Sequence, residues 1–446
     1  MNDTVESKGN FQDEATAAAA PLPSFRQEIE LFSAHMETIG SVMVGMVFAV
    51  QELTTSSKKK LEQFEKERCE IIIDGEDRTI RVPDSDFRAW RRLLRNFQQF
   101  DLSRTLVPRS LLVSVVSQYD AYLGRLLRVA FLRKPELLNS SDKKLSLETL
   151  TQFATIDQAR EHILEKEVEA ILRSSHADHF KWMERTFDLP LTKGLASFPV
   201  FIELTERRNL FVHTDGVVSS QYLSVCRQHK CALDAEVREG QRLDVPQKYF
   251  DAAHACVYEI GVKLGHVLWR KLFPGEREAA DDAFISLTYD LVDHGNYELA
   301  TRLLDFACQD FRKFHSEATQ TILTVNRAQA YKWKGDDERC KKIMRAVDWS
   351  AKGDNFKIAE AVLRDDFETA AKIARRIGPN GIVTQNNYRD WPLFRQFRKS
   401  EVFLATYLEI FGEPFSRKSE VKEKNIPTDS GEPPLERPAD ESPDAA

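Results

Sequence analysis

The sequence predicts a mainly α-helical protein: an all-helical bundle followed by an array of helical repeats, with one small β-hairpin near the N-terminus. From Phe25 onward, apolar residues recur every three or four positions over long segments, as they do on one face of a helix. In the last third of the chain, glycine-containing turns separate similar amphipathic segments. Only one short stretch, residues 69–82, has the composition and turn signal of paired strands.

The composition is that of a folded chain with two or three domains. The 446 residues are 42% hydrophobic and 30% charged, which suits a protein with a sizeable core. No GxxxxGK[ST] or GxGxxG motif occurs, so the sequence does not predict a fold built around ATP or a dinucleotide. We therefore expect no cofactor of these kinds.

The apolar run at residues 39–50 is shorter than the roughly 20 residues that a membrane-spanning helix needs. Two glycines interrupt this run, and we interpret it as a buried helix rather than a membrane span. The acidic, polar N-terminus lacks the basic start and apolar core of a secretory signal. Together with six scattered cysteines, this predicts a cytoplasmic protein without a membrane partner.

The charge is unevenly distributed along the chain. The net charge is −7, and both ends are acidic: residues 1–24 carry −3 and residues 413–446 carry −4. By contrast, residues 86–134 contain ten arginines or lysines and three aspartates. Such a segment can face phosphates or can simply be a solvated helix surface, and the sequence leaves both readings open.

These observations divide the chain into five segments. The two terminal segments are rich in Pro, Ser and charge, so we expect them to be disordered. The predicted segments are a disordered tail at 1–24, a helix and β-hairpin element at 25–99, a helical domain at 100–275, helical repeats at 281–412 and a disordered acidic, Pro-rich tail at 413–446.

The β-hairpin is predicted from Cys69 to Ile73 and from Thr79 to Val82, with Asp74-Gly75 as the turn. In the helical domain, a long helix is expected to start at Pro108 and to end near Phe131. Further helices are predicted at Leu147–Phe153, Gln158–Phe187, Ser197–His213 and Pro246–Phe273.

The repeats are predicted from three similar fragments, HGNYELATRLLDFA, KGDDERCKKIMRAV and AVLRDDFETAAKIARRIG. Each combines a turn, a polar bridge and an amphipathic helix, as in stacked helical hairpins. The period is irregular, so the array is tetratricopeptide-like, and an ordinary helical bundle is the alternative.

One segment carries residues suited to phosphate chemistry. Arg208, Asn209 and His213 lie at the end of the predicted helix Ser197–His213. An imidazole can move a proton near neutral pH, and a guanidinium can bind phosphate oxygens with two hydrogen bonds. On an ideal helix Asn209 and His213 share a face, while Arg208 lies about 140° from His213. An arginine and a histidine near a helix C-terminus can also simply complement the helix dipole.

The segment Arg208-Asn-Leu-Phe-Val-His213 resembles the signature of the HEPN superfamily, with the preferred Asn in its polar position. The earlier segment VVSQYDAYLGRLLRVAF, followed by RKPELL, resembles the first core helix of that domain and places Asp120 at its acidic position. The resemblance covers roughly residues 100–275, which identifies that segment as a HEPN-like domain.

The resemblance implies a metal-independent endoribonuclease that acts as a homodimer through its signature helices. The RNA 2′-hydroxyl would attack the adjacent phosphate and leave a 2′,3′-cyclic phosphate and a 5′-hydroxyl. His213 would be the general base or acid, Arg208 the phosphate clamp and Asn209 an orienting residue. Asp120 would position Arg208, or would be paired for structural reasons. The family implies a toxin–antitoxin or phage-defence role.

Two alternatives remain open from sequence. Some family members only bind RNA or proteins, so the chain could be a non-catalytic scaffold whose repeats recruit a partner. Alternatively, Cys226, His229 and Cys231, with His254 and Cys256 downstream, could bind zinc in a regulator. Because these spacings fit no common zinc module, no metal is expected at the candidate site.

Overall fold

The computed structural model describes residues 23–74, 77–140 and 145–416. It is mainly helical, as predicted, and its described part contains one two-stranded antiparallel sheet. The predicted tails lie outside the described residues except for positions 23–24 and 413–416. The chain divides into two compact units, residues 1–347 and 348–446.

The first unit contains twelve α-helices among its described residues. They are α1 Phe25–Arg68, α2 Phe87–Arg133, α3 Leu147–Leu150, α4 Ile156–Leu172, α5 His176–Phe187, α6 Phe198–His213, α7 Ser220–Gln228, α8 Gln247–Leu272, α9 Arg277–Asp293, α10 Tyr297–Asp310, α11 Glu317–Lys334 and α12 Asp337–Arg345. Strands β1 Glu70–Asp74 and β2 Asp77–Arg81 pair between α1 and α2, which confirms the predicted hairpin. The predicted turn at Gly75 lies outside the described residues.

The second unit, described by itself, contains four α-helices in its described part. They are α13 Asp354–Leu363, α14 Phe367–Ile377, α15 Gln385–Asp390 and α16 Glu401–Phe411. Phe394, Phe397 and Phe403 are buried in this unit. The predicted repeat region 281–412 is therefore shared between the two units.

Helices α1 and α2 are antiparallel and far longer than the other helices. The predicted helix start at Pro108 is wrong, because α2 begins at Phe87 and continues through Pro108 for 47 residues. Proline removes one intrahelical hydrogen bond, but Pro108 is buried, and packing along both flanks keeps the helix continuous. The predicted domain boundary at 99/100 falls inside this helix.

The apolar run at residues 39–50 is helical, but the expectation that it is buried is wrong. Met43 is buried, whereas Val44 and Phe48 are 65% and 67% exposed. Met43 and the partly buried Val47 and Val50 lie on one side of the helix, so only that side is covered here. By length and composition, α1 is the one helix of the described residues that could cross a membrane, and 22% of its most apolar window is buried. Long core helices meet the same criterion.

The core of the bundle is a close crossing of α1, α2 and α8. Gly261 and Gly265 lie on α8, and a Cβ atom on Gly261 would be 2.3 Å from the Phe32 ring of α1. The Phe32 ring stacks on Tyr122 of α2, with ring centroids 4.3 Å apart, and the Tyr122 hydroxyl donates to the Gly261 carbonyl at 3.2 Å. The absence of side chains at these glycines lets the three helices approach one another.

The three predicted repeat fragments form helical hairpins with the same turn. Gly295, Gly335 and Asp365 each adopt a positive φ, of 81°, 93° and 60°. In each turn the next residue donates its N–H to the carbonyl five positions earlier, at 2.8 to 2.9 Å, which is the Schellman arrangement of a helix end. The described structure thus confirms helical hairpins at these places, and the tetratricopeptide-like assignment stays a prediction.

We predict that Gly261→Ala lowers the free energy of unfolding by about 1–3 kcal/mol, because the added methyl group has no space beside Phe32. Chemical denaturation of both proteins measures the change. Gly45→Ala on α1 is the matched control, because no atom lies within 4 Å of its added Cβ. This control should be neutral or stabilising by up to about 1 kcal/mol. Equal losses in the two variants would contradict the close crossing.

Candidate functional site

The candidate site lies along α6, which carries the signature residues. Its last turn is followed by Asp215 and Gly216, both with positive φ, and the Gly216 N–H donates to the Leu210 carbonyl at 3.0 Å. A Cβ on Gly216 would lie 2.9 Å from the Leu243 carbonyl oxygen. Both the backbone angle and the space therefore favour glycine, and this turn ends the helix directly after His213.

Arg208 and Asp120 are brought together although they are 88 residues apart in the chain. Arg208 Nη2 donates to Asp120 Oδ2 at 2.6 Å, and the two side chains are 19% and 28% exposed. The other oxygen of Asp120, Oδ1, lies 2.8 Å from His176 Nε2 of α5. Arg208 Nε is buried without a hydrogen-bond acceptor in the described residues. The guanidinium is thus held by Asp120 through Nη2, while the side chain as a whole stays partly exposed.

His213 and Asn209 are placed differently from Arg208. His213 is exposed at the end of α6, and Asn209 is half-buried one turn earlier. Neither side chain forms a hydrogen bond or ion pair with another residue of the described chain. His213 is therefore accessible to a ligand in solution, whereas Arg208 is fixed in the protein.

A buried carboxylate fixes the position of α6. Glu203 accepts hydrogen bonds from Arg207 Nε at 2.8 Å and from the hydroxyls of Tyr222 and Tyr249, each at 2.6 Å. The Arg207 guanidinium also lies over the Tyr249 ring, 3.9 Å from its centroid. Burial and the Glu203 carboxylate raise the pKa of Tyr222 well above its usual value, so its hydroxyl donates at neutral pH. Arg207, adjacent to Arg208, therefore has a structural role.

The turn after His213 is anchored to α2 by a buried arginine. Arg109 is 6% exposed and donates to Asp215 Oδ1 at 3.2 Å and to the Leu243 carbonyl at 3.0 Å. It also pairs with Asp244, and Arg242 pairs with Asp215. A cation buried with several acceptors is held in one geometry. Arg109 thus keeps the end of α6 against α2.

Two titratable neighbours of the Arg208–Asp120 pair were not identified from sequence. Burial raises the pKa of Glu206, although His176 and Arg208 favour its charged form. Burial, followed by repulsion from His176, lowers the pKa of His179 to about 4, so that His179 is neutral at pH 7. No local spacing marks His179, because it joins the site only through the packing of α5, whereas Glu206 lies on α6 two residues before Arg208.

The cysteine and histidine cluster considered for zinc is used in other contacts. Cys226 is buried, and the Cys231 N–H donates to its carbonyl at 2.8 Å. His254 Nε2 lies 2.7 Å from the Met36 carbonyl oxygen, and Cys256 Sγ donates to the Ser197 carbonyl at 3.4 Å. Within the described ranges, no three His, Cys, Asp or Glu side chains are grouped so that they could hold a metal ion.

We predict that Glu206→Gln becomes increasingly stabilising, relative to the wild type, as the pH rises from 4 to 8. A carboxyl whose pKa is raised by folding favours the folded state while it is protonated, and this stability is lost as the pH rises through the folded pKa. Urea denaturation at several pH values measures the difference in unfolding free energy. Glu52→Gln, an exposed residue of α1, is the control. A difference that does not vary with pH would contradict the prediction.

No protein-family model, no curated protein and no solved structure matches this chain.

Proposed function

We propose that the protein is a metal-independent endoribonuclease of the HEPN type, which cleaves RNA by attack of the 2′-hydroxyl on the adjacent phosphate. The observation that carries the proposal is that Arg208, on the same helix as the exposed His213, is held by Asp120 of α2 at 2.6 Å. A held guanidinium can stabilise the charge that develops on a phosphate, and an accessible imidazole on the same helix can transfer the protons, so together they suit phosphoryl transfer without a metal.

In the proposed reaction, the oxygen of the 2′-hydroxyl forms a bond to phosphorus and the bond from phosphorus to the 5′-oxygen breaks. His213 accepts the proton of the 2′-hydroxyl or delivers a proton to the leaving 5′-oxygen. Arg208 binds the phosphate oxygens, where negative charge increases in the transition state. Asp120 holds the guanidinium in position, and His176 in turn holds Asp120. DNA lacks the nucleophile and is not cleaved.

Asn209 shares a face of α6 with His213 and is placed to orient the substrate or the imidazole. A single protomer offers one His213, whereas the reaction needs both a base and an acid. We therefore propose a homodimer in which the signature helices of two protomers supply one residue each. The proposed setting is a cytoplasmic toxin–antitoxin or phage-defence system, with the helical hairpins as the partner surface.

We expect the protein to cleave total RNA in the presence of EDTA and to leave 2′,3′-cyclic phosphate ends. His213→Ala should lower the cleavage rate by roughly 10²–10⁴-fold, because it removes a general acid or base. Arg208→Ala should lower it by about 10²–10³-fold. Gel analysis gives the rates, and enzymatic end-labelling identifies the end chemistry.

His294→Ala is the matched control, because His294 is an exposed histidine in the turn after α9. It should cleave at the wild-type rate. If the wild type and all variants leave RNA intact, the nuclease proposal is wrong and the scaffold interpretation takes its place. Cleavage that persists in the His213→Ala and Arg208→Ala variants would also contradict the proposed site.

A further inference from the structure

Four arginines lie in the first three turns of α2: Arg88, Arg91, Arg92 and Arg95. All four are exposed, and none forms an ion pair or hydrogen bond with another residue of the described chain. The segment from Phe87 to Phe100 contains these arginines and no acidic residue. We call this set the tip arginines.

The tip arginines differ from the other arginines of the same helix. Each of the others has a carboxylate partner in the described structure. These arginines are Arg104 with Asp101, Arg109 with Asp215 and Asp244, Arg125 with Glu28, Arg128 with Glu161 and Glu165, and Arg133 with Glu276. The helix therefore neutralises its cations everywhere except at the tip, where four remain available to an anion outside the described chain.

On an ideal helix the tip arginines fall on the same side of α2 as Asp120. At 100° per residue, Arg91 and Arg95 fall within about 20° of Asp120 around the helix axis, and Arg88 and Arg92 fall within about 40° and 80°. From the tip to about Leu106 this side of the helix faces solvent, and from Arg109 onward it is covered by the turn after α6. Leu102 and Leu106 lie in the same sector and are 57% and 45% exposed.

The distance between the tip and the site follows from the helix itself. α2 is continuous from Phe87 to Arg133, and the helical rise of 1.5 Å per residue places Arg95 about 37 Å and Arg88 about 48 Å from Asp120. Because Asp120 holds Arg208 at 2.6 Å, about the same distance separates the tip arginines from Arg208, the proposed phosphate clamp. A ligand bound at both places must be at least about 40 Å long.

We propose that the tip arginines bind the phosphate backbone of a folded RNA at a fixed distance from the cleavage site, so that α2 selects RNAs with a long duplex arm. This inference rests on the proposed function for its choice of RNA. Arginine binds phosphate oxygens through paired N–H groups, and a row of arginines along a helix follows a backbone without reading its sequence. A stem of about 16 base pairs, which a compact double-strand-binding domain already spans, is of the required size.

The stretch of α2 between the tip arginines and the candidate site indicates that an RNA would contact the protein at two separate places. Gln99, Leu102, Leu106 and Ser110 are exposed in this stretch, and none of them is charged. Because phosphate contacts supply most of the affinity for nucleic acid, a short RNA at the site gains little from this stretch. Only an RNA long enough to reach the tip gains the attraction of four further cations.

The experiment measures binding in a His213→Ala background, so that no RNA is consumed. The probes are two RNA hairpins with the same loop and with stems of about 6 and about 20 base pairs. The tip variant replaces all four tip arginines with Gln. The control variant replaces four exposed, ion-paired arginines with Gln, which gives the same change in charge: Arg26, Arg104, Arg160 and Arg173. Circular dichroism checks that each protein is folded.

The tip variant should bind the long hairpin more weakly by on the order of 100-fold at 0.1 M salt, and its dependence of log K on log salt should be less steep by about 3. Its affinity for the short hairpin should be that of the parent protein, as should both affinities of the control variant. The inference is overturned if the tip variant binds the long hairpin like the parent, if it loses both hairpins equally, or if the parent binds neither hairpin.

This test is separable from the test of the proposed function. Length-dependent binding through the tip, together with a wild type that leaves RNA intact, would reject the nuclease and keep the RNA-binding tip. Cleavage that depends on His213, with no effect of the tip variant on the long hairpin, would keep the nuclease and reject the tip. An acidic protein ligand for the tip arginines would appear as the absence of RNA binding and would also reject the inference.

Discussion

The rest of the structure depends on the close approach of α8 to α1 and α2 at Gly261 and Gly265. Tyr122 of α2 lies in this crossing, two residues after Asp120. This contact therefore fixes how α2 is rotated about its axis and where it lies along that axis. It thereby also fixes the position of the Asp120 carboxylate, which pairs with Arg208. Since α2 is continuous, the crossing also determines where its N-terminal end lies. The packing of the core therefore also determines the geometry of the candidate site.

Local sequence signals predicted the elements whose structure is decided locally. The strand pair after Cys69 and the turns at Gly295 and Gly335 depend on neighbouring residues, and all three were found. Expectations failed where a distant partner decides the result. Pro108 is a plausible first residue of a helix, but α1 and the bundle keep α2 continuous on both sides of it. The apolar run containing Phe48 indicates a core helix, but too few elements surround that part of α1 to cover it.

The residues of the candidate site also fall into those that a local pattern identifies and those that only tertiary packing brings there. Arg208, Asn209 and His213 are close in sequence, and a short motif sufficed to select them. Asp120 was selected from its place in a resembling helix, and its contact with Arg208 needed the structure. His176 and Arg109 could not have been selected, because each joins the site across 56 or more residues and has no local pattern. Buried polar contacts of this kind are set by tertiary packing, which single-sequence spacing does not encode.

The hydrogen bonds of the buried Glu203 fix the rotation of α6 about its own axis. This rotation matters for the candidate site as much as the identity of the residues on the helix. Glu203 and Arg207 are one turn apart, and the two tyrosines hold them from α7 and α8. Arg208 therefore points toward Asp120 only because it follows this anchored turn by one position. An insertion or deletion of a single residue between Glu203 and Arg208 would rotate the guanidinium by about 100° and move it by about 1.5 Å along the axis. A chain with such a change would keep the short motif from Arg208 to His213 but would lose the Arg208–Asp120 ion pair.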